Sequence, residues 1–270
     1  MRQLSWHDLQ WSLRRCPEAV LQLLKEKPGK VFVAGGFVRA CIATEHINDV
    51  DLFVPSKDEA WAAAHYLALK IKQARTVETK NAISVYGAKL PIQIIHRWTY
   101  TDPAQLMDSL DFTIAMAAFW WDGGEVPIEP PEGYQLAYKP VGRAAAWVSI
   151  CHDRFYEDLA AKRLIYTSPK RNEDAGGSFL RVLKFYQRNY RIPLDSMGAV
   201  IARLVMGVNQ KQLAQGVEDT PEQQWAKVLT GLLREIDPNV DPNHIYHLPS
   251  ESAAKETGHD DPTEEGEVQA

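Results

Sequence analysis

The segment Val31-Phe32-Val33-Ala34-Gly35-Gly36-Phe37-Val38-Arg39, followed by Asp49-Val50-Asp51-Leu52-Phe53-Val54, decides how this chain is read. The apolar run Val31 to Val33 predicts a buried strand. It leads into Gly35-Gly36, and thirteen residues after Gly36 the triplet Asp49-Val50-Asp51 opens a second apolar run, Leu52 to Val54. Residues i and i+2 of a strand share a face, so Asp49 and Asp51 point the same way. Two carboxylates a few ångströms apart repel each other unless a cation lies between them. Oxygen-only donors beside a phosphate site select Mg²⁺, with Mn²⁺ as a substitute. The glycine pair lets backbone N–H groups approach a triphosphate at the start of a helix. Arg39, one turn further on, is placed to reach the same phosphates. Gly-Gly or Asp-x-Asp alone says little, and a tight turn before a solvated edge strand would give either. Their order, strand then glycine turn then short helix then acidic strand, is the informative part.

Three more segments extend the pattern: Ser109-Leu110-Asp111-Phe112-Thr113-Ile114-Ala115-Met116-Ala117, Asp158-Leu159-Ala160-Ala161-Lys162-Arg163-Leu164-Ile165, and Phe179-Leu180-Arg181-Val182-Leu183-Lys184-Phe185. Together with Gly35-Gly36-Phe37-Val38-Arg39 and Asp49-Val50-Asp51 they resemble the nucleotidyltransferases of the polymerase-β superfamily, in particular the head and neck of bacterial CCA-adding enzymes and poly(A) polymerases. The resemblance covers residues 28–190. It implies Asp49 and Asp51 as catalytic metal ligands and Gly35, Gly36 and Arg39 as nucleotide contacts. It implies Asp111 as a third carboxylate or a ribose contact, where a local reading offers only a cap at a helix-to-strand junction. It implies Arg181 and Lys184, one turn apart, as nucleotide or RNA contacts. There are departures. Ala40 replaces the family's aspartate, Ser109-Leu110 an arginine pair, and Ala115 an asparagine. Ser178 stands where the family's base-selecting arginine belongs, and Glu173-Asp174 is out of register. The catalytic pattern is intact while the base-selecting pattern is altered.

Bulk properties narrow the class. At 270 residues and 45% hydrophobic content the chain can form one large or two small domains. Cys16, Cys41 and Cys151 fit no disulfide framework or zinc pattern, which points to a reducing, cytoplasmic setting. No signal-peptide pattern and no membrane-length apolar stretch is read. The net charge of −5 is concentrated at one end. Residues 250–270 hold seven acids against one lysine, which leaves +1 on the remaining 249 residues. That acidic segment, without aromatic, Ile or Leu residues, is expected to be disordered. Its role is either solubility or mimicry of nucleic acid over a basic groove.

The expected fold class is α+β: a small mixed sheet with helices on one side, then an all-α neck and the acidic tail. The expected units are an N-terminal helical segment (1–27), a catalytic head (28–145), a neck (146–248) and the tail (249–270). Helices broken at Pro17, a helix from Lys57 to about Ala74, strands at 82–86 and 90–95, and a short helix at 103–110 are expected. A strand is expected from Phe112 to Trp120 and helical pattern from about Ala144, including 155–165, 176–190, 195–206 and 221–236. Between Lys162 and Arg191, basic residues alternate with Tyr166, Phe179, Phe185, Tyr186 and Tyr190, either an RNA-binding pattern or an amphipathic helix with a solvated face. The resulting expectation is Mg²⁺-dependent transfer of NMP from an NTP to a hydroxyl, with an RNA 3′ end, tRNA first, as acceptor. A catalytically weak nucleotide- or RNA-binding module, and a toxin-like transferase acting on protein or tRNA, remain alternatives.

Overall fold

Pro17 divides the first helical stretch as its fixed backbone requires. Helix α1 (Trp6–Arg15) starts at Ser5, whose side chain accepts a hydrogen bond from the Asp8 N–H, and α2 (Glu18–Glu26) follows the proline. The computed structural model describes residues 1–123, 147–169 and 176–206, together with Gln223 and Ala226. After α2 come β1 (Phe32–Ala34), α3 (Gly36–Ile42), β2 (Val50–Phe53) and α4 (Lys57–Lys70), the last capped by Ser56. Then follow β3 (Arg75–Glu78), β4 (Ala82–Tyr86), β5 (Ile92–Ile95) and α5 (Pro103–Asp108). A 3₁₀ turn at Thr113–Ala115 leads to β6 (Ala117–Trp121), β7 (Trp147–Cys151), α6 (Phe155–Ala160), α7 (Gly177–Tyr186) and α8 (Leu194–Met206).

The strands form one mixed sheet in the order β3-β4-β5-β2-β1-β6-β7. Only β2 and β5 pair in parallel, with Asp51 opposite Gln93; the other neighbours are antiparallel. This is the expected α+β architecture. Strand alternation sorts β2 as the sequence demands. Val50 and Leu52 enter the main core with residues of α1 to α4, α6 and α7, whereas Phe53 joins a second cluster with Phe32, Ala34, Leu106, Met107, Leu110 and Trp120. The second cluster is built around short α5, so helices are not confined to one side. Asp51, between Leu52 and Val50, shares its face with Phe53.

Three local expectations need correction. The helix from Lys57 stops at Lys70, and Arg75–Glu78 forms an edge strand instead. Arg75, Thr76 and Glu78 are exposed, so the apolar alternation that marks a strand is missing there. The strand expected from Phe112 begins only at Ala117. Phe112 bridges to Tyr166, the Thr113 N–H donates to the Ile165 carbonyl, and the Thr113 hydroxyl donates to buried Asp158, 2.7 Å away. Those bonds pull the chain into a turn. Finally, the helical pattern expected from about Ala144 does not hold at Trp147–Cys151, which is the outer strand of the sheet, paired along β6. The sheet therefore runs past residue 145, and Leu9, Leu13, Val20, Leu23 and Leu24 of the first two helices lie in the same core as the strands. The expected helix at 221–236, Lys170, Arg171, Glu173, Asp174 and the acidic tail lie outside the described residues, apart from Gln223 and Ala226. Among the described residues, no helix is long and apolar enough to cross a membrane.

Candidate active site

Asp49 sits just before β2 and Asp51 within it, both partly buried. Burial, and then the neighbouring Asp49 carboxylate, push Asp51 up to about 7. Asp49 is also raised by burial, but Arg39, Arg188 and Lys184 oppose the rise. The two carboxylates therefore titrate together, each influencing the other's proton. The Gln93 side-chain amide donates to Asp49 Oδ2 at 2.9 Å. Because Gln93 stands beside Asp51 in the β2–β5 register, it touches one acid and neighbours the other. Ala34, one step beyond the Val33–Leu52 pair, comes level with Asp51 on β1 and contributes only a methyl group. Among the described residues the two acids are brought together with no direct ion pair to a cation, and the donor set fits a hard divalent ion. Among the described residues, no three His, Cys, Asp or Glu side chains are arranged to hold a metal. The remaining ligands of such an ion would be substrate phosphates and water.

The glycine turn lies at the end of β1. Gly35 has φ +77°, a conformation L side chains rarely adopt, and Gly36 begins α3. A Cβ at either position would meet no protein atom within 4 Å. The space above both glycines is open, so protein crowding does not explain why side chains are absent there.

Arg39 faces inward. It is 6% exposed, with its Nε 3.3 Å from Glu45 Oε2 and its guanidinium 4.9 Å from the centre of the Phe185 ring. Burial lowers its pKa, Glu45 raises it, and Arg188 lowers it again. Glu45 also accepts the Tyr190 hydroxyl at 2.7 Å, and Arg188 Nη1 lies 4.0 Å from its Oε2. Lys184 is exposed on α7, within the electrostatic reach of Asp49.

Asp111 is buried and meets Arg181 Nε in an ion pair that joins the head to α7. It is therefore brought together with Arg181 and not into a carboxylate cluster with Asp49 and Asp51. The fully buried Asp158 accepts from Arg154, Arg163 and Thr113. Ser178 is buried in the first turn of α7. Sequence reasoning missed Gln93 and Glu45. Gln93 carried a signal, as the single polar residue in Ile92-Gln93-Ile94-Ile95. Glu45 carried none, because its role depends on Tyr190, 145 residues away.

A family model described as Gabija anti-defense 2 family protein matches residues 8–162, more than half of the chain. The chain belongs to this family. The match spans the glycine turn, both acids, Asp111 and Asp158. A relative from Bacillus phage SPbetaL7, Gabija anti-defense 2, is 28% identical over 109 residues, covering 38% of this chain and 25% of that protein. The chain thus spans about a quarter of the length of that curated relative. Among solved structures, a CCA-adding enzyme with ATP is similar with a TM-score of 0.48 at 17% identity, over 88% of this chain and 57% of that one. The Thermotoga maritima CCA-adding enzyme complexed with tRNA gives 0.47 at 17% identity, over 88% and 56%. A tRNA-processing enzyme with CTP gives 0.46 at 18% identity, over 80% and 57%.

Proposed function

We propose that this Gabija anti-defense 2 family protein is a divalent-metal-dependent nucleotidyltransferase that moves NMP from an NTP to a hydroxyl. The reading rests on the Asp49–Asp51 pair, two acids kept close at a cost that a bound cation would remove. The acceptor oxygen attacks the α-phosphorus, the bond from that phosphorus to the bridging oxygen breaks, and pyrophosphate leaves. Asp49 and Asp51 would hold Mg²⁺ or Mn²⁺, which supplies charge neutralisation at the triphosphate and acidifies the attacking hydroxyl. Gln93 fixes the Asp49 carboxylate through a hydrogen bond to Oδ2. The Gly35-Gly36 turn leaves room for the triphosphate against the backbone. Arg39 and Lys184 supply positive charge beside it.

The acceptor follows from two supports. The basic residues on α7 favour an RNA 3′ end, tRNA included. The name of the relative favours a second reading, in which the acceptor belongs to the Gabija defence system that the family counters, as nucleic acid or as a protein hydroxyl. The experiment is labelling with each α-³²P NTP in Mg²⁺, offering total tRNA and purified Gabija components as acceptors. Transfer that disappears in Asp49→Ala and Asp51→Ala supports the reading, since losing such an electrostatic element costs about 10²–10³-fold or more. Labelling that survives both substitutions, or no transfer from any NTP to any acceptor, refutes it.

A further inference from the structure

Two guanidinium groups, Arg39 from the head and Arg188 from just beyond α7, converge on one carboxylate, Glu45. That leaves one positive charge in excess. The contacts are loose. Arg39 Nε is 3.3 Å from Glu45 Oε2, and neither atom makes a hydrogen bond of good geometry although both are buried. Arg188 Nη1 is at 4.0 Å, the outer edge of an ion pair, with its side chain 35% exposed. The best-formed bond of Glu45 goes elsewhere, to the Tyr190 hydroxyl. A partly buried, under-bonded cationic pair is costly unless an anion completes it. In the metal-free protein Asp49 is the nearby anion, since its carboxylate lies in the field of both guanidiniums and of Lys184.

We infer that Arg188 is a phosphate-binding residue of the active site, the neck's counterpart to Arg39, parked against Glu45 until the triphosphate arrives. This rests on the nucleotidyltransferase reading. Once a divalent ion sits between Asp49 and Asp51, Asp49 no longer balances the guanidiniums, and the excess positive charge is free for the substrate's β- and γ-phosphates. Arg188 suits the task better than Arg181, because Arg181 is committed to the buried carboxylate of Asp111. A planar guanidinium binds two phosphate oxygens at once, which a lysine cannot do. Arg188 lies two residues beyond the end of α7, and Phe185, whose ring Arg188 lies 6.0 Å from, anchors that turn in the core. The head–neck junction therefore sets its reach.

The test uses the full chain with Mg²⁺ and two probes: an α,β-methylene NTP, which binds without transfer, and inorganic tripolyphosphate. Calorimetric titration is expected to show Arg188→Ala weakening both probes at least tenfold and by the same factor, with Arg188→Lys recovering only part. Thermal melts of each variant check the fold, and Arg188→Gln provides a polar substitute should the alanine variant melt early. Unchanged affinity in Arg188→Ala, or a loss confined to the NTP, overturns the assignment while leaving the transferase reading intact. A wild-type chain that binds neither probe overturns both.

Discussion

Replacing Asp51 with asparagine should stabilise the metal-free protein, and only above about pH 4. The Asp51 carboxyl sits at about 7 in the fold against 3.8 for an ordinary aspartate, a rise caused by burial and by Asp49. A carboxyl raised in this way holds its proton more tightly when folded than when unfolded. Its contribution is complete below about pH 4 and is lost as the pH climbs through 7. Three pH units correspond to about 4 kcal/mol at full strength, at about 1.4 kcal/mol per unit. Because Asp51 is only partly buried and shares its proton with Asp49, about 2–4 kcal/mol is the expected gap at pH 8. For a fold of this size that equals roughly 5–15 °C in melting temperature. The assay is a set of thermal melts of wild type and Asp51→Asn in EDTA between pH 4.5 and 8.5. The gap should be smallest, about 1 kcal/mol or less, near pH 4.5 and widen in favour of the variant towards pH 8.5. Adding Mn²⁺ at pH 8 should raise the wild-type midpoint and close the gap. A pH-independent gap, or a variant less stable than wild type at pH 8, would show that the two acids do not strain the fold.

Gly35→Ala forces an L side chain to φ +77° and should cost about 1–2 kcal/mol, read from urea unfolding. Gly36→Ala meets no protein atom and should keep or slightly raise stability, yet weaken NTP binding at least tenfold in a calorimeter if the triphosphate lies against this backbone. Gln93→Ala frees the Asp49 carboxylate and should reduce Mn²⁺ affinity by about 10–100-fold, measured by Mn²⁺ titration with electron paramagnetic resonance, at nearly unchanged stability. Arg181→Ala strands the buried Asp111 carboxylate without its cation and should destabilise by about 3 kcal/mol in urea. Asp111→Ala should cost less, because the Arg181 side chain left behind is 39% exposed and can turn to water.

The fold was legible where chemistry is local. Pro17, the Ser56 cap and the alternation of Val50, Leu52 and Val54 each act over a few residues, and the helices and central strands fell close to where these features put them. The placement of Asp49 and Asp51 was legible for the same reason, since Asp49 stands at the entry to β2 and Asp51 within it. The edges were not. Arg75–Glu78 and Trp147–Cys151 take their form from a partner strand, which no local pattern reports. Long-range ion pairs were equally hidden. Arg181 faces Asp111 across 70 residues of sequence, and its basic neighbours read the same whether they bind RNA, phosphate or a buried acid. Arg39 looked like a free phosphate ligand because nothing nearby announces Glu45 as its partner.

The fastening of α7 and of the turn that follows it has a consequence for any attempt to dissect the chain. Arg181 holds one point through Asp111, Tyr190 holds the next through Glu45, and Phe185 fills the interior between them. A truncated piece ending near Ala161 would bare Phe112, strand Asp111 without its cation and take Tyr190 away from Glu45. Limited digestion should accordingly give no durable catalytic fragment, and heating should melt both lobes in one cooperative step. An acceptor modified as proposed above would meet a cleft whose described walls are tied together through Asp111–Arg181 and Glu45–Tyr190.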